Sequence, residues 1–379
     1  MSVFRRRPET RSVESDAMFA ALRGGMSQAG VTVTDDRALT LMPVWRCQHM
    51  IADIVSGLPV QQFRRRSGRT DEIDRSTIVS APSDLVSAQE WRYALLLDAL
   101  RWGNALAVTT RLDSFGFPLK AETVSWADVV VRQPDGALSP PTYQLHRREV
   151  DSGRVHHLRA YGPVAGSVLG MSPIAYARET IGLGLAVRQF GSEWYASGGH
   201  PTTVLTTTQQ VDAKQALEAK ERFRQATRGD HIAVMGNGWE LKSVQVAPDD
   251  ALFLAASNAT AIDICGFYGV PPELLGYAPS NTGSLTYGNR EQRAIDVLVF
   301  TLQWWVGRIE RLISAFLPAG QFVRVNLDGF LRSDAAVRWQ VHKTAVELGV
   351  RSRNEVRELE DESPLPEGGD EFTWPPGGA

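Results

Sequence analysis

The sequence predicts an α+β fold, and three observations carry that prediction. Apolar residues recur at helical spacing from Asp35 to Val55, and the strand-like "LPVQQFRRR" follows at once. A capped amphipathic helix then begins at Ser87 and runs through Gly103-Asn104 into a β-prone series that lasts to about residue 160.

Taken in order, Leu39, Met42, Cys47, Met50, Ile51 and Ile54 mark one helix of about five turns, ended by Gly57 and Pro59. "SGRTDE" reads as a turn after the strand, and Ser87 with Glu90 forms a capping box for the next helix. Further on, Ser172 as N-cap, Pro173 at the first helical position and Gly198-Gly199 at the end delimit a helix of about 25 residues, roughly 37 Å long. Gly182 and Gly184 inside it each cost roughly 1 kcal/mol against alanine, which suggests close packing on a neighbour.

Residues 201 to 246 read as a small module: a β-prone "PTTVLTTT", a charged helix, and two strands, "HIAVM" and "WELKSVQV", joined by "GNG". Glu218 precedes Arg222 by four, the supportive orientation for a surface pair. Asp249 then caps a helix with Leu252, Ala255, Ala259 and Ile262 on one face.

Between that helix and the next lies "GVPPELLGYAPSNTGSLTYGN", residues 269 to 289, turn-prone throughout with Glu273 as its single charge. Loops of that length without their own structure serve a function or are disordered. About 28 helical residues follow, stopped by Pro318. Trp304 and Trp305 point about 100° apart on that helix, so a narrow stripe cannot bury both centrally. Either one of them faces another subunit, or a wide stripe buries both within the monomer. "QFVRVNLDGFL" reads as a strand pair or a bent strand, "SDAAVRWQVHKTAVELG" as a capped helix ending at Gly349, and "RNEVRELE" as a short helix before an acidic tail.

Composition narrows the function class. With 43% hydrophobic and 22% charged residues the chain is ordinary for a folded protein, and its net charge of −3 argues against a broad basic surface for nucleic acid. The two cysteines, Cys47 and Cys265, are far apart in sequence and outside any CxxC, so neither a disulfide framework nor a zinc site is indicated, and a reducing place of synthesis fits. The amino terminus lacks the apolar stretch of a secretory signal, and the least polar runs are shorter than the roughly 18 residues of a membrane span.

Enzymatic signatures are scarce. There is no GxxxxGK[ST] phosphate loop, no GxSxG elbow, no HExxH and no zinc-type spacing, so no catalytic, cofactor-binding or metal-ligating residue is nominated. His156 and His157 are adjacent on a strand and point to opposite faces, which suits local hydrogen bonding and not a shared metal. "RRR" at 5 to 7 and at 64 to 66 can touch phosphate or simply solubilise the chain.

The order of motifs says more than any one. "ADIVSGLPVQQFRR", "LRWGNALAV", "GMSPIAYARETIGLG", "YASGGHPTTVL", "ICGFYGVPPELLGY", the stretch ending "YGNREQ", "RIERLISAFL" and "GVRSRNEVRELEDESPLPEGGDEF" occur in turn. That series, over roughly residues 35 to 370, resembles the portal proteins of tailed double-stranded DNA bacteriophages of the Hong Kong ninety-seven type. One departure is "RWGNALAV", where family members often carry an aromatic after Gly-Asn-Ala.

The resemblance implies a portal fold: an α+β wing, a two-helix stem, a small α/β clip, a long wing helix and a short helical crown, assembled as a ring. Its expected divisions are a flexible arm at 1–30, wing at 31–170, stem helix at 171–197, clip at 198–247 and second stem helix at 248–268. A tunnel loop at 269–289, a second wing part at 290–332, and crown with tail at 333–379 complete them. The loop would present Tyr277, Ser280, Asn281, Thr282, Ser284, Thr286 and Tyr287 to DNA, because chargeless polar groups make weak contacts to a moving duplex where lysines or arginines would hold it. Tyr277 and Tyr287 would brush the backbone or pack the loop base; a placement of the stretch in the clip, or an ordinary surface loop, are the other readings. Lys214, Glu218, Arg222 and Asn237 would face terminase and adaptor from the clip, and Trp304 and Trp305 would meet a neighbouring subunit.

Also implied are a homo-oligomeric ring of about twelve copies at a capsid vertex of the virion, assembled in the host cytoplasm, and partners: double-stranded DNA, terminase, head–tail adaptor, scaffold and major capsid protein. No cofactor, membrane or enzymatic activity is implied. Two other classes stand beside this one, a monomeric head–tail adaptor or minor capsid protein and a DNA-processing enzyme of the packaging machine.

Overall fold

A short antiparallel pair, β1 (Gly24–Met26) and β2 (Thr32–Thr34), leads into α1 (Asp35–Leu39), where the Thr34 hydroxyl accepts from the Arg37 N–H at 3.3 Å. The computed structural model describes residues 24–133, 139–161, 167–196, 203–207, 212, 214–218, 221, 239–243, 250–277, 296–327, 335–360 and 362–372. The single helix expected over 35 to 55 is two. α1 closes at Thr40, and α2 (Met42–Gly57) starts anew with Pro43 in its first turn. Pro43 has no N–H to donate to the carbonyl four residues back, and its ring would crowd that carbonyl, so the helix restarts there.

β3 (Val60–Arg66) and β4 (Arg69–Ile73) form a hairpin whose two central residues, Ser67 and Gly68, have φ of 48° and 83°. Both lie in the left-handed region that a two-residue turn between twisted strands requires. "TDE", read from sequence as part of the turn, therefore belongs to β4. The Ser87 capping box is present and opens α3 (Ala88–Trp102), and Gly103 closes it with φ 77°. A Cβ at Gly103 would lie 2.3 Å from the Met171 carbonyl oxygen, so both the backbone angle and the space demand glycine there.

The chain then forms β5 (Asn104–Leu112) and β6 (Pro118–Val124), followed by β7 (Val129–Arg132), β8 (Thr142–Leu145), β9 (Arg148–Val150) and β10 (Val155–Arg159). They make two three-stranded antiparallel sheets, ordered β10-β5-β6 and β7-β8-β9. Ser172 caps a helical turn, Pro173–Tyr176, by accepting from the Ala175 N–H at 3.3 Å, and α4 (Arg178–Ala196) follows after a break at Ala177. The start is the one read from sequence; the rod is interrupted once.

β11 (Thr203–Thr207) and β12 (Trp239–Ser243) pair antiparallel, while the expected strand "HIAVM" lies outside the described residues. α5 (Asp250–Tyr268) follows, then a π-helical turn at Leu298–Leu302 that runs into α6 (Gln303–Ser314), and β13 (Gln321–Val325). β13 returns across the whole chain to pair with β3, giving the order β13-β3-β4. "QFVRV" is thus one strand. α7 (Ala335–Glu347) and α8 (Arg353–Leu359) close the described chain, the latter with a Ser352–Glu355 capping box.

The main core lies where α2 crosses α3 and meets β3, β5, α5 and α6, and it includes Ile51, Trp91, Leu96, Ile181, Ile264 and Trp305. Two of its polar side chains are satisfied locally. Trp91 Nε1 donates to the Ala121 carbonyl at 2.8 Å, and the buried Arg92 guanidinium donates to the Ser56 carbonyl at the C-terminal end of α2. A cation there complements the free carbonyls and dipole of that helix end. A smaller core under the β7-β8-β9 sheet gathers Leu106, Trp126, Val129, Val131 and Tyr143. Among the described residues, no helix is long and apolar enough to cross a membrane.

Candidate functional site

The region of interest is built by α4 and α5, which pack against each other and against the α1–α2 junction. The two glycines of α4 mark the closest approaches. A Cβ on Gly182 would lie 2.3 Å from Ser27, and one on Gly184 would lie 3.0 Å from Thr260 and 3.2 Å from Leu41. The close packing anticipated from these glycines is therefore present.

The face of α5 was not the one anticipated. Ala255 and Ala259 are exposed and Ile262 is half-buried, whereas Thr260, Ala261, Ile264, Cys265 and Tyr268 point inward. Its polar residues Ser257, Asn258, Thr260 and Asp263 are spread around the helix, so periodicity alone does not select a buried stripe. What selects it is fit to α2 and α4: Tyr268 reaches Gln48 Nε2 at 2.8 Å, and Cys265 comes to 4.0 Å from Cys47, sulfur to sulfur. The two cysteines are thus neighbours in space, and both are free thiols. The hydrogen bond to Cys265, together with burial, pushes the Cys47 thiol well above its ordinary range.

The outward surface of the stem pair is unusual for its apolarity: Leu183, Phe190, Leu254 and Phe267 are 50%, 47%, 66% and 42% exposed. Between α4, α5 and the segment 40–43 lies a groove of about 480 Å³ lined by Met42, Val187, Ser257 and Tyr277 among others.

The long loop leaves from the end of α5. Gly269 (φ 68°) terminates that helix, the Val270 N–H donates to the Cys265 carbonyl at 3.0 Å, and a 3-10 turn, Pro272–Leu275, ends at Gly276 (φ 85°). Val270 is buried, and Leu275 and Tyr277 pack on the main core. Of the two roles considered for Tyr277, packing of the loop base is the one found, with its hydroxyl 3.7 Å from Met42 Sδ. Ser280, Asn281, Thr282, Ser284, Thr286 and Tyr287 lie outside the described residues. The return point is fixed too: the Thr301 hydroxyl, in the π-helical turn, donates to the Gly269 carbonyl. Gly269, at the end of α5, and Thr301, just before α6, are therefore neighbours, a contact with no sequence signal.

In α6 the tryptophans divide. Trp305 is 1% exposed and Trp304 41%, the latter covered on one ring face by the Arg308 guanidinium at 3.8 Å. Of the residues expected in a clip, Lys214 and Glu218 lie exposed on a helical turn capped by Asp212, whose carboxylate accepts from the Gln215 N–H at 2.8 Å; Arg222 and Asn237 lie outside the described residues.

The two adjacent histidines are taken up by local hydrogen bonds. His156 and His157 face opposite sides of β10: His156 pairs with Thr109 at 3.0 Å, and His157 with Asn104 at 2.9 Å and the Tyr143 hydroxyl at 3.2 Å. Burial lowers their pKa values to about 4 and about 3, so both are neutral at physiological pH. Among the described residues, no group of three His, Cys, Asp or Glu is placed to hold a metal ion.

Comparison with known proteins agrees with this architecture. The sequence profile of the family described as phage portal protein matches residues 42–361. The portal protein of Enterobacteria phage HK97 is 28% identical over 357 residues, covering 89% of this chain and 82% of that protein. Among solved structures, an HK97 family phage portal protein from Corynebacterium diphtheriae superposes with a TM-score of 0.61 at 15% identity, covering 82% of this chain and 99% of its own. A chain from the neck of a native GTA (gene transfer agent) particle, computed with C12 symmetry, gives a TM-score of 0.54 at 17% identity over 87% of this chain and 92% of that one. With five-sixths of its length matched by one profile, the chain belongs to the phage portal protein family.

Proposed function

We propose that the protein forms a ring of about twelve subunits at one capsid vertex, through which double-stranded DNA is packaged and ejected. The observation that carries this reading is the family match across residues 42–361, and the C12 symmetry of the related GTA neck supports the copy number. The stem supports it physically. A monomer that exposes Leu183, Phe190, Leu254 and Phe267 on one helix pair leaves an apolar surface of the kind that subunits bury against each other. The segment 269–289 is the one we assign to the channel wall, where its chargeless polar residues would slide past phosphates without releasing counterions.

The role is that of a passive conduit and platform. The energy for packaging would come from a separate terminase ATPase, since the sequence carries no phosphate loop. Terminase and head–tail adaptor would dock on the clip around Lys214 and Glu218, and capsid and scaffold on the wing. Trp304, stacked under Arg308 and half open, is the aromatic we assign to a subunit contact; buried Trp305 serves the core of its own subunit.

The test is the native mass of the purified protein with end-on negative-stain views. A particle near 500 kDa, about twelve chains of 41.7 kDa, with a central hole bears the reading out. A species that stays monomeric at high concentration and with scaffold present sinks it. Magnesium-dependent DNA cleavage, lost on removing a carboxylate, would instead point to an enzyme.

A further inference from the structure

The chain's two cysteines, Cys47 and Cys265, stand 218 residues apart in sequence and 4.0 Å apart in the fold, sulfur to sulfur. One is carried by α2 and the other by α5, and both are buried. The two helices are held in register around them. Gln48, next to Cys47, donates to the Tyr268 hydroxyl at 2.8 Å, and the Cys265 carbonyl accepts from the Val270 N–H at 3.0 Å. No atom fits between sulfurs at that distance, and a disulfide would bring them about 2 Å closer by rotation of the two side chains.

A cysteine buried alone packs as a small apolar residue and is inert. A second thiol in contact changes that, and this pair is chemically uneven. The Cys47 S–H donates to Cys265, which lowers the Cys265 pKa and raises that of Cys47. Cys265 is therefore the thiol that ionises first, and Cys47 stands where a resolving thiol must, against the sulfur that reacts. Burial bars bulky reagents, but the groove of about 480 Å³ passes close by. Ala261 and Ile264, on the same helix just before Cys265, line it. So does Tyr277, whose pKa is raised by burial and by its nearness to both cysteines. A small oxidant in the groove is one layer of side chains from the sulfurs.

We propose that Cys47 and Cys265 form a redox latch: hydrogen peroxide closes them into a disulfide that ties α5 to α2, and reducing thiols open it again. The Cys265 thiolate attacks one peroxide oxygen; an S–O bond forms, the O–O bond breaks, and the departing hydroxide takes up the proton that Cys265 released. The Cys47 sulfur then attacks the sulfenic sulfur. The S–S bond forms, the S–O bond breaks, and hydroxide leaves with the Cys47 proton as a second water. Both thiols are oxidised, and one peroxide is reduced to two waters. A reducing medium keeps the latch open and an oxidising one closes it. The bond would close a loop between residues 218 apart, so it would act by constraining the unfolded chain and by holding α5 on α2. It lies within one subunit and is independent of the ring reading.

The experiment treats the reduced, full-length, folded protein with hydrogen peroxide, removes the oxidant, and counts free thiols after denaturation, with peptide mapping and non-reducing electrophoresis. Since the chain has only two cysteines, the thiol count reads the pair directly. The expected result is loss of both thiols in a single-chain band, a linked pair of peptides carrying Cys47 and Cys265, and recovery of both thiols with dithiothreitol. Hydrogen exchange in α5 should slow in the oxidised protein, and that slowing should be absent from Cys265→Ala. Exposed Met26 serves as the internal dose control. Two thiols surviving at a dose that converts Met26 to its sulfoxide overturn the proposal. So do sulfinic or sulfonic products without the linked peptides, bonds between chains, or a disulfide that forms only in denaturant.

Discussion

The body built by α2, α3, β5 and α6 and the α4–α5 pair hold their apolar residues in different ways. The first buries its aromatic residues within one subunit: Trp91, Trp126, Trp305 and Phe316 are each under 2% exposed, and Trp91 Nε1 and the adjoining end of α2 find their partners at home. The α4–α5 pair buries an inner face, with Ile181, Leu185, Ile264 and Tyr268 packed beside glycines, and leaves Leu183, Phe190, Leu254 and Phe267 open. On the proposed reading the first region is the wing, which a subunit holds alone, and the second is the stem, which gains stability against further copies. That division of labour suits a ring: a rigid body per subunit and a shared wall.

Four outcomes would break or sharpen this contrast. The largest effect belongs to the wing core. Trp91→Ala removes a buried indole and its bond to Ala121, and should cost about 3–5 kcal/mol in denaturant unfolding. Second comes acid. His157 is neutral when folded, with its pKa depressed to about 3, so the stability tied to that neutral ring is full above the unfolded value near 6.5 and is lost as pH falls toward 3. At pH 4 this amounts to roughly 3 kcal/mol at most, and His157→Gln should flatten that limb of the stability profile. Asp98 has the opposite sign: burial raises it to about 6, so what its protonated form contributes is complete below about 3.8 and gone once pH passes 6.

Third is the junction between the two regions. Gly182→Val places atoms within 2.3 Å of Ser27 and should cost about 1–3 kcal/mol by pushing α4 off the β1–β2 pair, read as earlier melting of the stem helices by hydrogen exchange. The smallest effect on subunit stability, within about 0.5 kcal/mol, is expected of Leu254→Gln, which sits on the open stem face. Its consequence should appear in assembly instead, as a shift from ring to free subunit on a sizing column. A Leu254→Gln protein that unfolds as a monomer would erase the distinction between wing and stem.

Several helix boundaries were legible because their signals are local. Ser87 with Glu90, Ser172 with Pro173, and Gly103 each act within four residues, and each helix starts or stops where those residues say. Pro43 was a local signal passed over, and it split the first helix. What sequence could not give were contacts across long separations. β13 pairs with β3, Cys47 meets Cys265, and Thr301 clasps Gly269; in each case the partner is chosen by three-dimensional packing that no spacing encodes. The inward face of α5 belongs to the same class, since a helix with its polar residues spread around it carries no clear period to read.

The central claim is that the protein is a ring whose 269–289 segment faces the lumen, and an image reconstruction of the assembled particle tests it most directly. The account predicts a closed ring of about twelve copies with α4 and α5 buried between neighbours and the segment nearest the axis. A ring with that segment on its outer rim, or a particle whose α4–α5 surface stays in solvent, would contradict it.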